Sequence, residues 1–220
     1  MKSILSTKKL SNSQKQLFLN SGLSLVEYNA IVTETTNFKL PSEKIENAIF
    51  TSKNAVNAVL EKVQLKNCFC VGEKTGELLS DNGFHIQEIA DYGKDLAEII
   101  TKKYAAEEFT FFCGNKRRDE LPDILQKGNV HFKEIEVYKT SLNRQSFSQE
   151  FEGILFFSPS AVQSFTAKNQ LKGTTAFCIG NTTAAEAQKH TNNIIIATKP
   201  TIENVIVQVV KYFGASSRSI

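Results

Sequence analysis

Four short turns in the sequence carry serine, threonine and glycine at positions that could bind an anion. Ser52 and Ser158 each follow an apolar run typical of a buried strand and precede apolar residues at helical spacing. Gly72 and Gly180 each follow a second apolar run, and threonine comes within the next three residues. A strand that ends where a helix begins leaves free backbone N–H groups and the positive end of the helix dipole. The turns therefore predict contacts with a substrate that carries several negative charges; the alternative is that each is an ordinary helix cap.

These turns belong to a sequence that repeats itself. SKNAV begins at Ser52 and SPSAV begins at Ser158, 106 positions later. VGEKT and IGNTT, which contain Gly72 and Gly180, are 108 positions apart, and Gly22 aligns with Gly128 at a separation of 106. Matches in the same order at nearly constant spacing indicate a duplicated unit.

Strands alternate with helices in both copies. Apolar runs such as Cys68–Val71 and Ile154–Phe157 predict buried strands, and apolar residues on one face predict helices such as Lys116–Gln126 and Thr201–Phe213. We therefore predict the α/β class, with two similar doubly wound parallel-sheet lobes joined by a two-stranded hinge, one lobe being discontinuous in sequence.

The order of the repeats predicts the domain boundaries. Lobe 1 comprises residues 1–31 plus 148–220, and lobe 2 comprises residues 40–138. The interlobe linkers, residues 32–39 and 139–147, are polar and rich in threonine and serine, which favours paired extended segments over a flexible tether. Because ligands of doubly wound sheets bind at the carboxyl ends of the strands, we expect the site in the cleft between the lobes. The terminal segment GASSRSI is predicted to be a frayed tail.

Composition excludes several classes of protein. A net charge of +3 is too small to indicate a nucleic-acid partner. No apolar run reaches the roughly 20 residues that span a bilayer, and no hydrophobic secretory core is present at the N-terminus, so we expect no membrane association and a cytoplasmic location. The long predicted helices each keep a polar face, which favours a monomer.

The cysteines predict reduced core thiols and no metal site. Cys68, Cys70, Cys113 and Cys178 lie in strand-like apolar runs, as expected for a reducing compartment. Cys68 and Cys70 are expected on opposite faces of a strand, and the three histidines lack the spacing of metal ligands.

Six motifs together resemble the uroporphyrinogen-III synthase family. They are FTSKNAV, CVGEKTGELL, the C-G-N-x-x-R-x-x-L pattern of Cys113 to Leu121, VYKT, FFSPSAV and CIGNTTAAEA. The resemblance covers about residues 49 to 213 and includes the discontinuous order of the two lobes.

The resemblance implies a reaction and a substrate. The family cyclises hydroxymethylbilane, a linear tetrapyrrole polycarboxylate, with loss of water and inversion of ring D, and gives uroporphyrinogen III. It is a cyclising lyase of haem biosynthesis that needs no metal or organic cofactor. The alternative is a catalytically inactive or regulatory cleft protein of two lobes that binds a small polyanion.

The resemblance and the turns together supply the candidate site residues. Tyr138 is the candidate acid catalyst, because the family places a tyrosine beside the second linker and a neutral phenol can donate a proton or a hydrogen bond to the departing hydroxide. Among the basic residues Lys116, Arg117 and Arg118, the family pattern favours Arg118, and a solvated helix face is the alternative for at least one of them. The candidate substrate-binding residues are Ser52, Asn54, Gly72, Thr75, Gly114, Arg118, Ser158, Ser160, Gly180, Thr182 and Thr183.

Overall fold

A computed structural model describes residues 1–214 of the chain. It divides into two compact units: unit 1 is Met1–Val32 together with the chain from Ser141 onward, and unit 2 is Thr33–Thr140. Residues 215–220, which make up most of the predicted frayed tail, lie outside the described residues.

Strands and helices alternate along most of the chain. In chain order they are β1 (Lys2–Ser6), α1 (Asn12–Gln16), β2 (Leu23–Glu27), β3 (Ile31–Thr35), β4 (Lys44–Phe50), α2 (Lys53–Val59), β5 (Gln64–Val71), α3 (Glu73–Asp81), β6 (Ile86–Ala90), α4 (Gly93–Lys103), β7 (Glu108–Gly114), α5 (Glu120–Lys127), β8 (His131–Leu142), β9 (Gly153–Phe156), α6 (Pro159–Thr166), β10 (Thr175–Cys178), α7 (Asn181–Ala187), β11 (Ile194–Ile196) and α8 (Ile202–Gly214).

The two units contain sheets of the same strand order. The sheet of unit 1 is ordered β11-β10-β9-β1-β2, and that of unit 2 is ordered β6-β5-β4-β7-β8 with β3 added at the edge. All pairs in the shared order are parallel. The first β-α-β segment of unit 1 therefore corresponds to the last one of unit 2, as the repeat predicts. The predicted fold class is confirmed.

The added strand β3 comes from the first predicted linker and pairs with the end of β8. Thr36 N–H donates to Val137 O at 3.0 Å, and the Thr33 and Thr140 hydroxyls lie 3.5 Å apart. Thr33 lies beside Thr140 and Thr36 beside Val137, so residue numbers rise in one strand as they fall in the other, and the pair is antiparallel. The two segments are paired strands, as their composition predicted.

Alternation of side chains along the strands covers both faces of the unit 2 sheet. Phe50 and Phe112 pack on one face against residues of α2 and α3. Ile49, Phe69 and Phe111 pack on the other face against α4 and α5. Neighbouring residues of a strand point to opposite faces, so a continuous apolar run builds two cores.

Unit 1 is constructed in the same way from shorter strands. Leu5 and Phe156 face α6 and α7, whereas Ile4, Leu155 and Phe177 face α8. The apolar stripe of α8 that the sequence shows is the stripe that covers this second face.

Two details of the sequence interpretation were wrong. The helix expected over Lys116–Gln126 begins at Glu120, because Pro122 is tolerated in a first turn and would break a helix that began a turn earlier. Cys68 and Cys70 share one face, since residues two apart in a strand point the same way.

The four cysteines are buried, unpaired thiols in strands of the two cores. Burial raises the pKa of the Cys68 and Cys178 thiols to about 12, and that of Cys70 and Cys113 to about 11. Because the thiolate is the reactive form, we expect a thiol-titrating disulfide reagent at pH 8 to leave the folded protein unmodified and to modify four thiols in denaturant. Fast modification of any thiol in the folded protein would contradict this burial.

No helix within residues 1–214 is both long and apolar enough to cross a membrane.

Candidate functional site

A cavity of about 340 Å³ opens at the carboxyl ends of the unit 2 strands. It brings together three predicted site residues, Ser52, Arg118 and Tyr138, which are far apart in the sequence. Its full lining is Thr51, Ser52, Val71, Tyr92, Gly93, Phe111, Lys116, Arg117, Arg118, Glu120, Leu121 and Tyr138. Ligands of open α/β sheets bind at this edge, so the location is the one expected for a binding site.

Ser52 reaches the cavity because it caps α2 immediately after β4. Its backbone is extended, and its hydroxyl accepts the Asn54 N–H at 3.1 Å. The backbone N–H of the predicted site residue Asn54 is thus already used inside the cap, and Asn54 itself is exposed. The half-buried Ser52 hydroxyl remains at the cavity wall.

The basic residues beside the cavity divide into one structural arginine and two exposed cations. Arg117 is bound by Glu134 of β8 and by Asp119, and its guanidinium N–H lies 3.0 Å from a Glu134 oxygen. The hydrogen bond to Glu134 raises the pKa of Arg117. Arg118 and Lys116 are exposed and have no ion pair within residues 1–214. Arg118 is therefore the available guanidinium, in a loop before α5.

Tyr138 lies in β8 beside the end of β7. The register slips by one residue between Cys113 and Gly114, so that Gly114 stands opposite Tyr138. The half-buried ring packs against the apolar cluster around Phe112, and its face toward β7 contacts the backbone of Gly114.

The second predicted turn of unit 2, from Gly72 to Thr75, leads into α3 and does not line this cavity. Gly72 caps the helix with φ +84°, a conformation that favours glycine, and its N–H donates to Ala90 O at 2.8 Å. Thr75 lies in the first turn of α3 and is only 6% exposed, so its side chain is buried and does not face solvent. Glu73 is exposed and does not line the cavity.

The predicted residues of unit 1 occupy the corresponding edge of its own sheet. The Ser158 hydroxyl caps α6 and accepts the Ala161 N–H at 3.2 Å, and Ser160 follows in the first turn. Gly180 caps α7, with Thr182 exposed and Thr183 only 1% exposed.

The first turn of α7 offers backbone donors. The first intrahelical bond of α7 runs from Ala184 N–H to Gly180 O, so the preceding amides have no acceptor within the helix. None of these unit 1 residues lines the unit 2 cavity or the cavities of about 360 and 920 Å³ described below.

Sequence reasoning missed Tyr92 and Glu120 as cavity residues. Tyr92 precedes α4 at the end of β6 and is 70% exposed, and an aromatic residue at a strand-to-helix junction was the signal that could have identified it. Glu120 begins α5, and its carboxylate offsets part of the charge of Lys116 and Arg118 at the cavity.

Two other cavities occur at the opposite, amino-terminal edges of the sheets. One, of about 360 Å³, includes the first residues of β4, β7 and β8. A larger one, of about 920 Å³, adjoins the starts of β9 and β10. Neither contains a predicted site residue, and the amino edge is not where ligands of doubly wound sheets bind.

Comparison with known families decides what kind of protein carries this cavity. The model of the family described as uroporphyrinogen-III synthase HemD matches residues 15–206. The chain belongs to this family. The match spans both units and includes the turns at Ser52, Gly72, Ser158 and Gly180.

Individual members of the uroporphyrinogen-III synthase family are distant in sequence. A porphyrin biosynthesis protein HemD of Ruminiclostridium josui is 26% identical over 193 residues, which cover 76% of this chain and 38% of the relative. The chain thus spans well under half the length of the curated relative that it matches.

Solved structures of the family share the fold. A uroporphyrinogen-III synthetase from Helicobacter pylori 26695 has a TM-score of 0.69 at 21% identity and covers 96% of this chain and 100% of its own. A mutant uroporphyrinogen III synthase from the extremely thermophilic bacterium Thermus thermophilus has a TM-score of 0.54 at 12% identity, with coverage of 99% and 100%. At these identities the likeness concerns the fold alone.

Proposed function

We propose that this chain is a uroporphyrinogen-III synthase, which cyclises hydroxymethylbilane with loss of water and inversion of ring D. The observation that carries the proposal is the cavity of unit 2, where a family-pattern arginine, a capping serine and a tyrosine meet at the carboxyl edge of the sheet. A cation and hydroxyl groups suit a substrate with many carboxylates and a reaction that releases hydroxide.

The principal task of the protein in this reaction is geometric. Pyrroles are electron-rich, so loss of hydroxide gives a stabilised cation with modest assistance. Unassisted closure gives the isomer in which ring D is not inverted. The protein must hold the flexible chain so that the terminal ring attacks through its substituted carbon, and positioning of this kind contributes much of a catalytic barrier.

We propose that Tyr138 is the acid and that the other residues hold carboxylates. A cavity of about 340 Å³ is at the small end of the range for ligand sites, roughly 300–1,000 Å³, so only part of a tetrapyrrole would occupy it. Arg118 and Ser52 would contact that part. The remaining proposed contacts are Asn54, Gly72, Thr75, Gly114, Ser158, Ser160, Gly180, Thr182 and Thr183; for the buried Thr75 and Thr183 the turn, and not the hydroxyl, is the proposed partner.

Product analysis tests the function. Purified protein is incubated with hydroxymethylbilane, the products are oxidised, and the uroporphyrin isomers are separated by chromatography. We expect the type III isomer, formed faster than the spontaneous reaction. Type I isomer alone, at the spontaneous rate, would refute the proposed activity and favour the alternative of an inactive protein.

Arg118→Ala tests the proposed carboxylate contact. A charge-assisted hydrogen bond contributes about 1.5–3 kcal/mol, so we expect the KM for hydroxymethylbilane to rise by roughly 10-fold or more, with little change in the unfolding midpoint. Arg117→Ala is the matched comparison, since this arginine holds Glu134 and Asp119 together and its loss should lower the unfolding midpoint. Equal KM values for the wild type and Arg118→Ala would remove Arg118 from the proposed site.

We also propose that the protein acts in the cytoplasm as a monomer. Four unpaired thiols are consistent with a reducing compartment. Sedimentation analysis at micromolar concentrations, with a monomer of 24.5 kDa expected, tests the oligomeric state.

A further inference from the structure

We propose that Gly114 and Asn115 are positioning residues that place the Tyr138 hydroxyl for proton donation. The proposal rests on the proposed function. It gives Gly114 a role different from the substrate contact that the sequence suggested, and it adds Asn115, to which no role has been assigned above.

Gly114 leaves the space that the tyrosine ring occupies. A Cβ atom at residue 114 would lie 2.4 Å from the Cε2 and Cζ atoms of Tyr138 and 2.8 Å from its hydroxyl oxygen. Ordinary contacts of a Cβ begin near 3.4 Å. Any side chain at residue 114 would therefore displace the ring by about 1 Å, and a displacement of that size at a reacting group can cost about 100-fold in rate.

Asn115 fixes the backbone on the other side of the tyrosine. Its side-chain oxygen accepts the Thr140 N–H at 2.8 Å, and its side-chain nitrogen donates to Thr140 O at 3.3 Å. Its own N–H donates to Tyr138 O at 3.3 Å. The asparagine thus continues the ladder between β7 and β8 past the register slip at Gly114, which locally disrupts the strand pairing.

Together the two residues restrict both the ring and the backbone of Tyr138. Gly114 sets where the ring lies, and Asn115 sets the path of the backbone on either side of Lys139. The ring of Tyr138 also packs against the apolar cluster around Phe112. A phenol held in this way keeps its hydroxyl in one place at the cavity wall, which is what a proton donor requires.

A double-mutant cycle separates positioning from a general structural effect. We expect Gly114→Ala to lower kcat about 10-fold with KM nearly unchanged, and Asn115→Ala to lower kcat about threefold. In the Tyr138→Phe background, which keeps the ring and lacks the hydroxyl, each change should alter kcat by less than about twofold. Equal losses in both backgrounds would show that the residues do not act through the hydroxyl and would overturn the proposal.

A spectroscopic measurement makes the test independent of activity. With 3-fluorotyrosine in place of the five tyrosines, the ¹⁹F resonance of residue 138 is identified by its absence in Tyr138→Phe. We expect Gly114→Ala to shift this resonance, whereas Gly214→Ala, whose Cβ would meet its nearest atom at 3.8 Å, should leave it in place.

The two measurements distinguish the possible failures. An unshifted resonance in folded Gly114→Ala would overturn the positioning role. A shifted resonance in a protein that forms no type III isomer would show that residue 114 sets the position of the Tyr138 ring, and it would refute the proposed function. If Gly114→Ala does not fold, the cycle with Asn115→Ala decides the outcome.

Discussion

Tyr138→Phe is expected to lower the turnover of hydroxymethylbilane by roughly 10–100-fold, the scale of general acid catalysis. The change removes the only group that we propose to protonate the departing hydroxide, and it keeps the ring that packs against the core of unit 2. Because the ring is retained, the free energy of unfolding should change by less than about 0.5 kcal/mol, as for substitutions outside a packed core. Steady-state kinetics with isomer analysis and denaturant unfolding measure the two effects.

Tyr212→Phe provides the matched control for the same chemical change. Tyr212 is half exposed on α8 in unit 1 and does not line the three cavities described above. Its turnover should equal that of the wild type. Wild-type turnover in Tyr138→Phe would remove the phenol from the mechanism and leave the positioning of carboxylates as the source of catalysis.

Phe112→Ala is expected to lower the free energy of unfolding by about 3–5 kcal/mol, the usual cost of truncating a buried phenylalanine. Phe112 is fully buried in β7, and its ring stacks on that of Phe50 at 5.3 Å. Adjacent parallel strands hold the two rings on one face of the sheet, so the cavity left by truncation cannot close by a side-chain rotation alone.

The measurement should follow unit 2 itself, since a chain with two units need not unfold in one step. Denaturant unfolding combined with hydrogen exchange at the amides of β4 and β7 reports on this sheet. Leu19→Ala, at a side chain 68% exposed, is the control and should cost less than about 0.5 kcal/mol. A loss below about 1 kcal/mol in Phe112→Ala would contradict the packing described for this core.

The sequence determined the duplication and the order of the elements. The segments repeated at a separation of 106 to 108 residues consist of apolar runs, capping serines and glycines. Each of these features determines the secondary structure of the few residues around it. Ser52 and Ser158 cap helices for this reason, and the two sheets have the same strand order. The start of α5 was predicted four residues too early, because Pro122 is tolerated in the first turn of a helix and not further along it.

Only the tertiary structure decided which of these residues lie together. The family pattern favoured Arg118, but the sequence did not show that Arg117 is held in ion pairs, because Glu134 reaches Arg117 only after β8 has paired with β7. The contact between Gly114 and Tyr138 likewise depends on a one-residue slip in that pairing. Sequence patterns report interactions between near neighbours, whereas strand register is fixed by the packing of whole sheets. The different environments of two adjacent arginines follow from that register.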